Sequence, residues 1–150
     1  MFKMVDKVKS VIKEIAEKLN KSQIKWALAG SANLNLQGIE ITPIDIDIIV
    51  DYKDLERIAE IFKKYDPSDP VFIKNKEGEH IDFEINGVKV EVCGDYNNGT
   101  YRKIREKDDA TKIINLEGIP IVVFTLGSLI KAYEQTNRGD KIELIKQFIN

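Results

Sequence analysis

Two aspartates, Asp45 and Asp47, interrupt an otherwise apolar segment that runs from Ile44 to Val50. Such a run predicts a strand, and side chains two residues apart on a strand share a face, about 6–7 Å from each other. Carboxylates beside apolar residues are costly unless something compensates them, and Mg²⁺ is a natural compensation because it prefers oxygen ligands. Taken alone, the pair favours a simpler interpretation, a half-buried strand whose polar face meets water.

More acidic residues lie on a predicted hairpin. Two alternating segments, His80–Ile85 and Val88–Cys93, are joined by Asn86-Gly87, a dipeptide that fits a type I′ turn. This register places Asp82 opposite Glu91, and directly opposed like charges destabilise a sheet unless solvent or a cation screens them. If the hairpin lies beside the strand of the two aspartates, one of its acids completes a three-carboxylate cluster that can bind Mg²⁺ together with a triphosphate.

Gly30-Ser31 follows an apolar segment, Ile24–Ala29, and precedes a short predicted helix over 32–37. Glycine lets a backbone approach a phosphate closely, and the first N–H groups of a helix are available to an anion. The simpler interpretation is a tight turn that needs glycine. The segment is neither a P-loop nor a dinucleotide-binding fingerprint, because the glycine-lysine and triple-glycine patterns of those motifs do not occur.

Composition excludes several classes of protein. The chain has 23 Lys and Arg against 25 Asp and Glu, so no overall basic field draws it to nucleic acid or to a membrane surface. One cysteine, Cys93, cannot form an internal disulfide, and one histidine, His80, is expected at a solvent-facing strand end. Neither a membrane-spanning segment nor a signal peptide is predicted, so we expect a cytoplasmic protein with no membrane partner.

Periodicity places these residues on a single domain, residues 1–150, of the α/β (α+β) class. We expect a mixed twisted sheet of about five strands with helices packed on it. Asp51 and Thr125 are predicted helix N-caps, and Asp140 with Glu143 forms a capping-box pattern for the last helix. The predicted helices cover about residues 3–20, 32–37, 52–62, 126–136 and 140–149, and the strands 24–29, 44–50, 80–85, 88–93, 112–116 and 119–124.

The order of these motifs resembles the nucleotidyltransferase superfamily of the polymerase-beta type. Gly30-Ser31 is followed by the acid pair of Asp45-Ile46-Asp47, fourteen positions on (from 31 to 45), and then by an acid on a later strand. The stretch Trp26–Val50 is similar to a small minimal branch that includes antibiotic nucleotidyltransferases and toxin-type members of abortive-infection systems. The C-terminal segment from Gly118 to Arg138 is similar to the same branch.

The resemblance implies transfer of a nucleoside monophosphate from an NTP to an acceptor hydroxyl or similar group, with release of pyrophosphate. Glu91 would help to ligate the metal that activates the acceptor or would act as general base, and Asp82 is the alternative third carboxylate. The acceptor stays open between a small molecule, a protein side chain and an RNA end, and a second protomer or a partner protein would help to hold it. The ligands of Mg²⁺ (or Mn²⁺) would be Asp45, Asp47 and Glu91, and the β- and γ-phosphates would lie on Gly30 and Ser31.

Two positions depart from the branch. Its members often carry an arginine shortly before the acid pair, where this chain has Ile41, and a lysine in the helix after the last strand, where it has Tyr133. Arg138, just past that helix, either contacts phosphate or counters the helix dipole. The departures favour an alternative function, a catalytically inactive nucleotide-binding or protein-interaction module of a two-component, toxin-antitoxin type system. A structural domain with accidental acid pairs is the third possibility.

Overall fold

The computed structural model describes residues 3–73 and 77–150. Its helices are α1 (Met4–Ser22), α2 (Gly30–Leu36), α3 (Leu55–Ile61), α4 (Thr100–Arg105), α5 (Leu126–Gln135) and α6 (Gly139–Ile149), with 3-10 turns at Tyr52–Asp54 and Lys63–Tyr65. Its strands are β1 (Trp26–Ala29), β2 (Asp45–Asp51), β3 (Val71–Phe72), β4 (Gly78–Ile85), β5 (Val88–Asp95), β6 (Thr111–Leu116) and β7 (Ile119–Phe124).

Within the described ranges, seven strands form one mixed sheet in the order β3-β4-β5-β2-β1-β7-β6. β2 is parallel to β5 and antiparallel to β1, and β1 is parallel to β7. The outer pairs β3-β4, β4-β5 and β6-β7 are antiparallel. The expected mixed sheet with packed helices is confirmed, although its strand count is higher than the five we expected.

The central hairpin has the predicted register. Asn86 and Gly87 both have positive φ, 50° and 81°, as a type I′ turn requires. Asp82 pairs with Glu91 across the hairpin, so the like charges do lie opposite each other. The apolar side chains of the hairpin all lie in the core on the opposite face: Ile81, Phe83, Ile85, Val88, Val90 and Val92.

Helices cover both faces of the sheet. On one face, α1 and α3 pack against a large apolar cluster that includes Ile46 and Ile48 of β2. On the other face, α2, α4, α5 and α6 enclose a smaller cluster that includes Ile49 of the same strand. Because side chains alternate along a strand, Asp45 and Asp47 share the face of Ile49 and lie beside the smaller cluster.

Some boundaries differ from the expectations. The last helix begins at Gly139 with Arg138 as its N-cap and no side-chain cap bond, so the capping box from Asp140 to Glu143 was wrong. Thr125 caps α5 as predicted, accepting a hydrogen bond from the Ser128 N–H at 3.2 Å. β3 was missed because two residues after a proline-rich loop carry no periodic signal. Among the described residues, no helix has both the length and the apolar character to cross a bilayer.

Candidate functional site

The parallel pairing of β2 with β5 brings the acidic residues together. Asp47 pairs with Glu91, and Asp45 pairs with Lys89 one pleat earlier. Register partners on neighbouring strands point to the same face of a sheet, so the Glu91 carboxylate adjoins that of Asp47. Asp45 lies on this face as well, two residues before Asp47. The hairpin therefore lies beside the strand of the two aspartates, with Glu91 next to Asp47.

The two acids of the hairpin lie at different distances from β2. Glu91 is on β5, which is hydrogen-bonded to β2, whereas Asp82 is on β4, one strand further away. Besides lying opposite Glu91 in the hairpin, Asp82 contacts His80, whose Nδ1 lies 3.1 Å from Asp82 Oδ1. Ligand atoms of His80, Asp82 and Glu91 all lie within 4.8 Å of one another.

His80 was placed wrongly as a solvent-facing strand end, since its side chain is only 20% exposed and contacts Asp82. The contact between His80 and Asp82 could have been predicted from the sequence, because residues two apart on a strand lie on the same face.

Gly30 forms the wall of the site next to Asp47. Ala29, the last residue of β1, pairs with Asp47 across the antiparallel β1-β2 ladder, and α2 begins at the next residue. Gly30 has φ of 70°, a conformation that L side chains rarely adopt, and a Cβ atom built there would lie 2.2 Å from Asp47 Oδ2. Ser31 follows in the first turn of α2 and is partly buried. Glycine is therefore required here both by the backbone and by the carboxylate against it.

Burial and like charges act together on Asp47. Burial is the main cause that raises its pKa from 3.8 to about 7, and the negative charges of Asp45 and Glu91 raise it further. Lys89 and Arg138 act in the opposite direction without offsetting the rise. A carboxylate in this position is short of positive charge, and three hard oxygen donors on one face are the ligand set that Mg²⁺ or Mn²⁺ takes. The donor chemistry suits a divalent cation, although among the described residues the group whose ligand atoms lie within 4.8 Å of one another is His80, Asp82 and Glu91 rather than Asp45, Asp47 and Glu91.

Comparisons with known proteins give matches in structure. No protein-family profile matches the sequence, and neither does any curated protein. A "putative nucleotidyltransferase" from Thermotoga maritima superposes with a TM-score of 0.74 at 22% identity, covering 97% of this chain and 94% of its own. ANT(2″)-Ia in complex with adenylyl-2″-tobramycin gives a TM-score of 0.66 at 11% identity, covering 96% of this chain and 90% of its own.

The chain has the nucleotidyltransferase fold. The lincosamide antibiotic adenylyltransferase LnuA, with lincomycin bound, shares it with a TM-score of 0.61 at 10% identity, covering 89% of this chain and 92% of its own. At these identities the likeness is one of fold alone. The fold expected from the resemblance is confirmed.

Within this nucleotidyltransferase fold, the groups around the acids are neutral or basic. Tyr133 of α5 is 6% exposed, and burial beside Asp47 raises its pKa to about 12, so its phenol stays protonated at neutral pH. The Cys93 thiol donates to Glu91 Oε1 at 3.4 Å, and burial raises its pKa well above the ordinary value. Cys93 is therefore no nucleophile here, as expected for a packed apolar side chain.

Two cationic side chains accompany the cluster. Lys89 Nζ lies 3.9 Å from Glu91 Oε2, and its side chain is half exposed. Arg138 follows α5, is half exposed, and pairs with Asp140 at 3.5 Å while its charge still acts on Asp47. Ile41, where the related branch often has arginine, packs against the smaller apolar cluster. The positive charge at this site thus comes from Lys89 and Arg138, and not from the positions of Ile41 and Tyr133 where the resemblance led us to expect it.

Proposed function

We propose that the chain is a nucleotidyltransferase that moves a nucleoside monophosphate from an NTP to an acceptor hydroxyl and releases pyrophosphate. The observation that carries the proposal is the position of Asp47, which lies beside Glu91 in the parallel register and against the backbone of Gly30. A cation held by the acids and a triphosphate held by the Gly30-Ser31 turn would therefore meet at one point.

Asp45, Asp47 and Glu91 would hold Mg²⁺ or Mn²⁺. Support for this assignment comes from the donor set, three carboxylates on one face, and from Asp47, whose pKa is raised to about 7 by burial and by the charges of Asp45 and Glu91. When bound, the cation supplies charge neutralisation on the triphosphate oxygens and makes the acceptor hydroxyl more acidic. Glu91 is favoured over Asp82 as the third carboxylate, because only Glu91 lies on the strand that pairs with β2.

The remaining work of this chain is positioning. The backbone N–H groups of Gly30 and Ser31, at the start of α2, would donate to β- and γ-phosphate oxygens, because first-turn N–H groups have no acceptor within the helix. Glu91 would ligate the cation on the acceptor side or accept the acceptor proton. The acceptor oxygen forms a bond to the α-phosphorus as the bond from that phosphorus to the β-phosphate oxygen breaks, and pyrophosphate leaves.

The proposal leaves the base of the NTP open and gives an order in which to test acceptors. Small-molecule acceptors come first, because the solved neighbours of this fold include ANT(2″)-Ia with adenylyl-2″-tobramycin and LnuA with lincomycin. A protein side chain and an RNA end follow, and a second protomer or a partner protein would complete the acceptor site. Because NTPs are metabolites of the cytoplasm, the proposed reaction takes place there.

The test measures NTP binding and turnover separately. Thermal unfolding is followed with Mg²⁺ and a non-hydrolysable NTP, and pyrophosphate release is followed with Mg²⁺, each NTP and each acceptor class. We expect stabilisation and pyrophosphate release in the unmodified chain, and loss of both in Asp47→Asn. Glu84→Gln is the matched control, because Glu84 is exposed on the same hairpin and lies opposite Lys89 rather than in the cluster. No stabilisation by any NTP would contradict the proposal.

One observation favours a second function. Tyr133 is buried beside Asp47 where the related branch often has lysine, which removes a basic contact from the expected triphosphate site. The alternative is an inactive nucleotide-binding or protein-interaction module of a toxin-antitoxin type system. It predicts NTP-dependent stabilisation without pyrophosphate release for any acceptor, and it is excluded by turnover that Asp47→Asn abolishes.

A further inference from the structure

A second concave site lies at the opposite end of β1 from the acidic cluster. Ala29, at the end of this strand, pairs with Asp47, whereas Trp26, at its start, pairs with Val50. Three residues of strand separate the two ends by about 10 Å. A cleft of about 250 Å³ opens at the Trp26 end, and Lys25, Trp26, Arg105, Thr111 and Val122 are among its lining residues.

Arg105, the last residue of α4, is the unusual group in this cleft. Its side chain is largely withdrawn from water, with the residue 6% exposed. Its Nη1 donates to the Lys25 carbonyl at 3.2 Å, but Nε is buried without a hydrogen-bond partner in the described part of the chain. A buried guanidinium normally has its N–H groups satisfied, so the unpaired Nε is a donor that a bound water or ligand atom would satisfy.

The carboxylates behind Arg105 are already engaged by its neighbour. Arg102 donates from Nε to Asp51 at 3.0 Å and from Nη1 to Glu106 at 3.2 Å, and its backbone N–H donates to Asp95 at 2.9 Å. Asp95 and Asp51 still favour the charged form of Arg105 from a distance, but burial outweighs them and lowers the Arg105 pKa. Within the described ranges, no carboxylate forms an ion pair with Arg105 at 4.0 Å or less.

The lining of the cleft combines positive charge with apolar side chains. Lys25 and Arg105 are its charged lining residues, and no acidic residue among those described lines it. Trp26 and Val122 supply apolar surface on the β1 and β7 side. Asn20 is occupied, because its amide accepts from the Trp26 indole N–H and donates to the Pro120 carbonyl. The cleft therefore offers two positive charges next to an apolar wall.

We propose that this cleft binds a small oxyanion, a carboxylate or a phosphate, carried on a compact apolar group. Arg105 lines the cleft, and a guanidinium can donate two parallel N–H bonds to two oxygens of one carboxylate or phosphate. Lys25 adds a second positive charge to the lining, and the apolar part of the ligand would contact Trp26, which is 4% exposed. The site is separate from the acidic cluster, so the inference does not depend on the proposed nucleotidyl transfer.

Trp26 makes the proposal directly testable, because it is the only tryptophan of the chain and lines the cleft. Its fluorescence is titrated with inorganic phosphate and, separately, with butyrate, at constant ionic strength balanced by chloride. We expect a saturable change with at least one of these anions. A response to phosphate alone identifies a phosphate-type ligand, a response to butyrate alone a carboxylate-type ligand, and a response to both a general oxyanion site.

Variants identify the anchor. Arg105→Lys keeps the charge but loses the two-pronged edge, so the affinity for the anion should fall about tenfold, as expected for the loss of one charge-assisted hydrogen bond. Lys25→Gln, at an exposed residue, should weaken binding by a smaller factor even if Arg105→Lys fails to fold. Lys21→Gln is the matched control, because Lys21 is exposed on α1 and is not among the lining residues.

Two results would overturn the inference. One is no saturable Trp26 response to either anion. The other is a response that neither Arg105→Lys nor Lys25→Gln changes. The titration is repeated in Asp47→Asn, where the response should persist, so failure of the cleft and failure of the proposed function can be told apart.

Discussion

Asp47 and Gly30 are in such close contact that a Cβ atom on Gly30 would lie 2.2 Å from Asp47 Oδ2. The contact joins the start of α2, directly after β1, to the start of β2, and β1 and β2 are antiparallel neighbours inside the sheet. The absence of a side chain at Gly30 therefore leaves the space that the Asp47 carboxylate occupies, and Asp47 is the residue on which the proposed function depends most.

Gly30→Ala should therefore both destabilise the fold and abolish NTP binding. The alanine methyl group would displace Asp47, and its backbone would be held at a φ of 70°, which costs about 1–2 kcal/mol for a residue other than glycine. Urea unfolding measures the first effect, and thermal stabilisation by Mg²⁺ with a non-hydrolysable NTP measures the second.

Gly127→Ala is the control for that variant. Gly127 lies in α5 with open space where a Cβ would go, so alanine should leave NTP binding unchanged and stabilise the helix by roughly 0.5–1 kcal/mol. If Gly30→Ala binds NTP as well as the unmodified chain, the contact between Gly30 and Asp47 has no role in the site.

The stability of the cation-free protein should fall as the pH rises from about 4 to about 7. The pKa of Asp47 is raised by burial and by its acidic neighbours from 3.8 to about 7, so across this interval the folded state binds the proton and the unfolded state has lost it. The protonation of Asp47 therefore stabilises the folded state at low pH, and this contribution to the free energy of unfolding is lost as the pH rises. Urea unfolding at a series of pH values, in the presence of a chelator, measures this slope.

Asp47→Asn should flatten the slope, because asparagine cannot ionise. Asp95, whose pKa is also raised by burial, to about 6, contributes in the same direction, so the difference between the two proteins is the quantity to compare. Added Mg²⁺ should restore stability at pH 7 in the unmodified chain alone. An identical pH profile in both proteins would mean that Asp47 does not carry the raised pKa.

Glu91→Gln should reduce pyrophosphate release by at least about a hundredfold, the range expected for loss of a general base or of a ligand that positions the acceptor. Asp82→Asn should reduce it by less than about tenfold, because Asp82 is separated from β2 by the strand of Glu91. Steady-state rates with saturating Mg²⁺ and NTP make the comparison, with Glu84→Gln as the exposed control on the same hairpin. The reverse order would assign the third carboxylate to Asp82.

Arg138→Gln should weaken NTP binding by about tenfold and reduce the salt dependence of the dissociation constant, because one cation no longer meets the triphosphate. Arg138 is half exposed, and its charge already acts on Asp47. Arg57→Gln is the control, since Arg57 is an exposed residue of α3, which packs on the opposite face of the sheet. Equal NTP dissociation constants for the two variants would mean that Arg138 only counters the helix dipole and does not contact the triphosphate.

Short-range features of this protein followed from its residues. The period of two along β2 placed Asp45 and Asp47 together, and the Asn86-Gly87 turn set the register that opposes Asp82 to Glu91. Both depend on interactions within a few residues, so local backbone geometry is sufficient to predict them. The capping box at Asp140 failed because two further residues at the start of the last helix adopted helical geometry.

The lateral arrangement of the strands did not follow from local patterns. Asp47 and Glu91 are 44 positions apart (91 − 47), and the parallel pairing that joins them depends on α1 and α3 filling one face while α2, α4, α5 and α6 fill the other. The same packing buries Arg105 and leaves its Nε without a partner, although its sequence context is a charged, solvated run. Residues close in the sequence determine which face of a strand a side chain takes and which turn a dipeptide forms. The order of the strands in the sheet depends instead on the packing free energy of the whole domain.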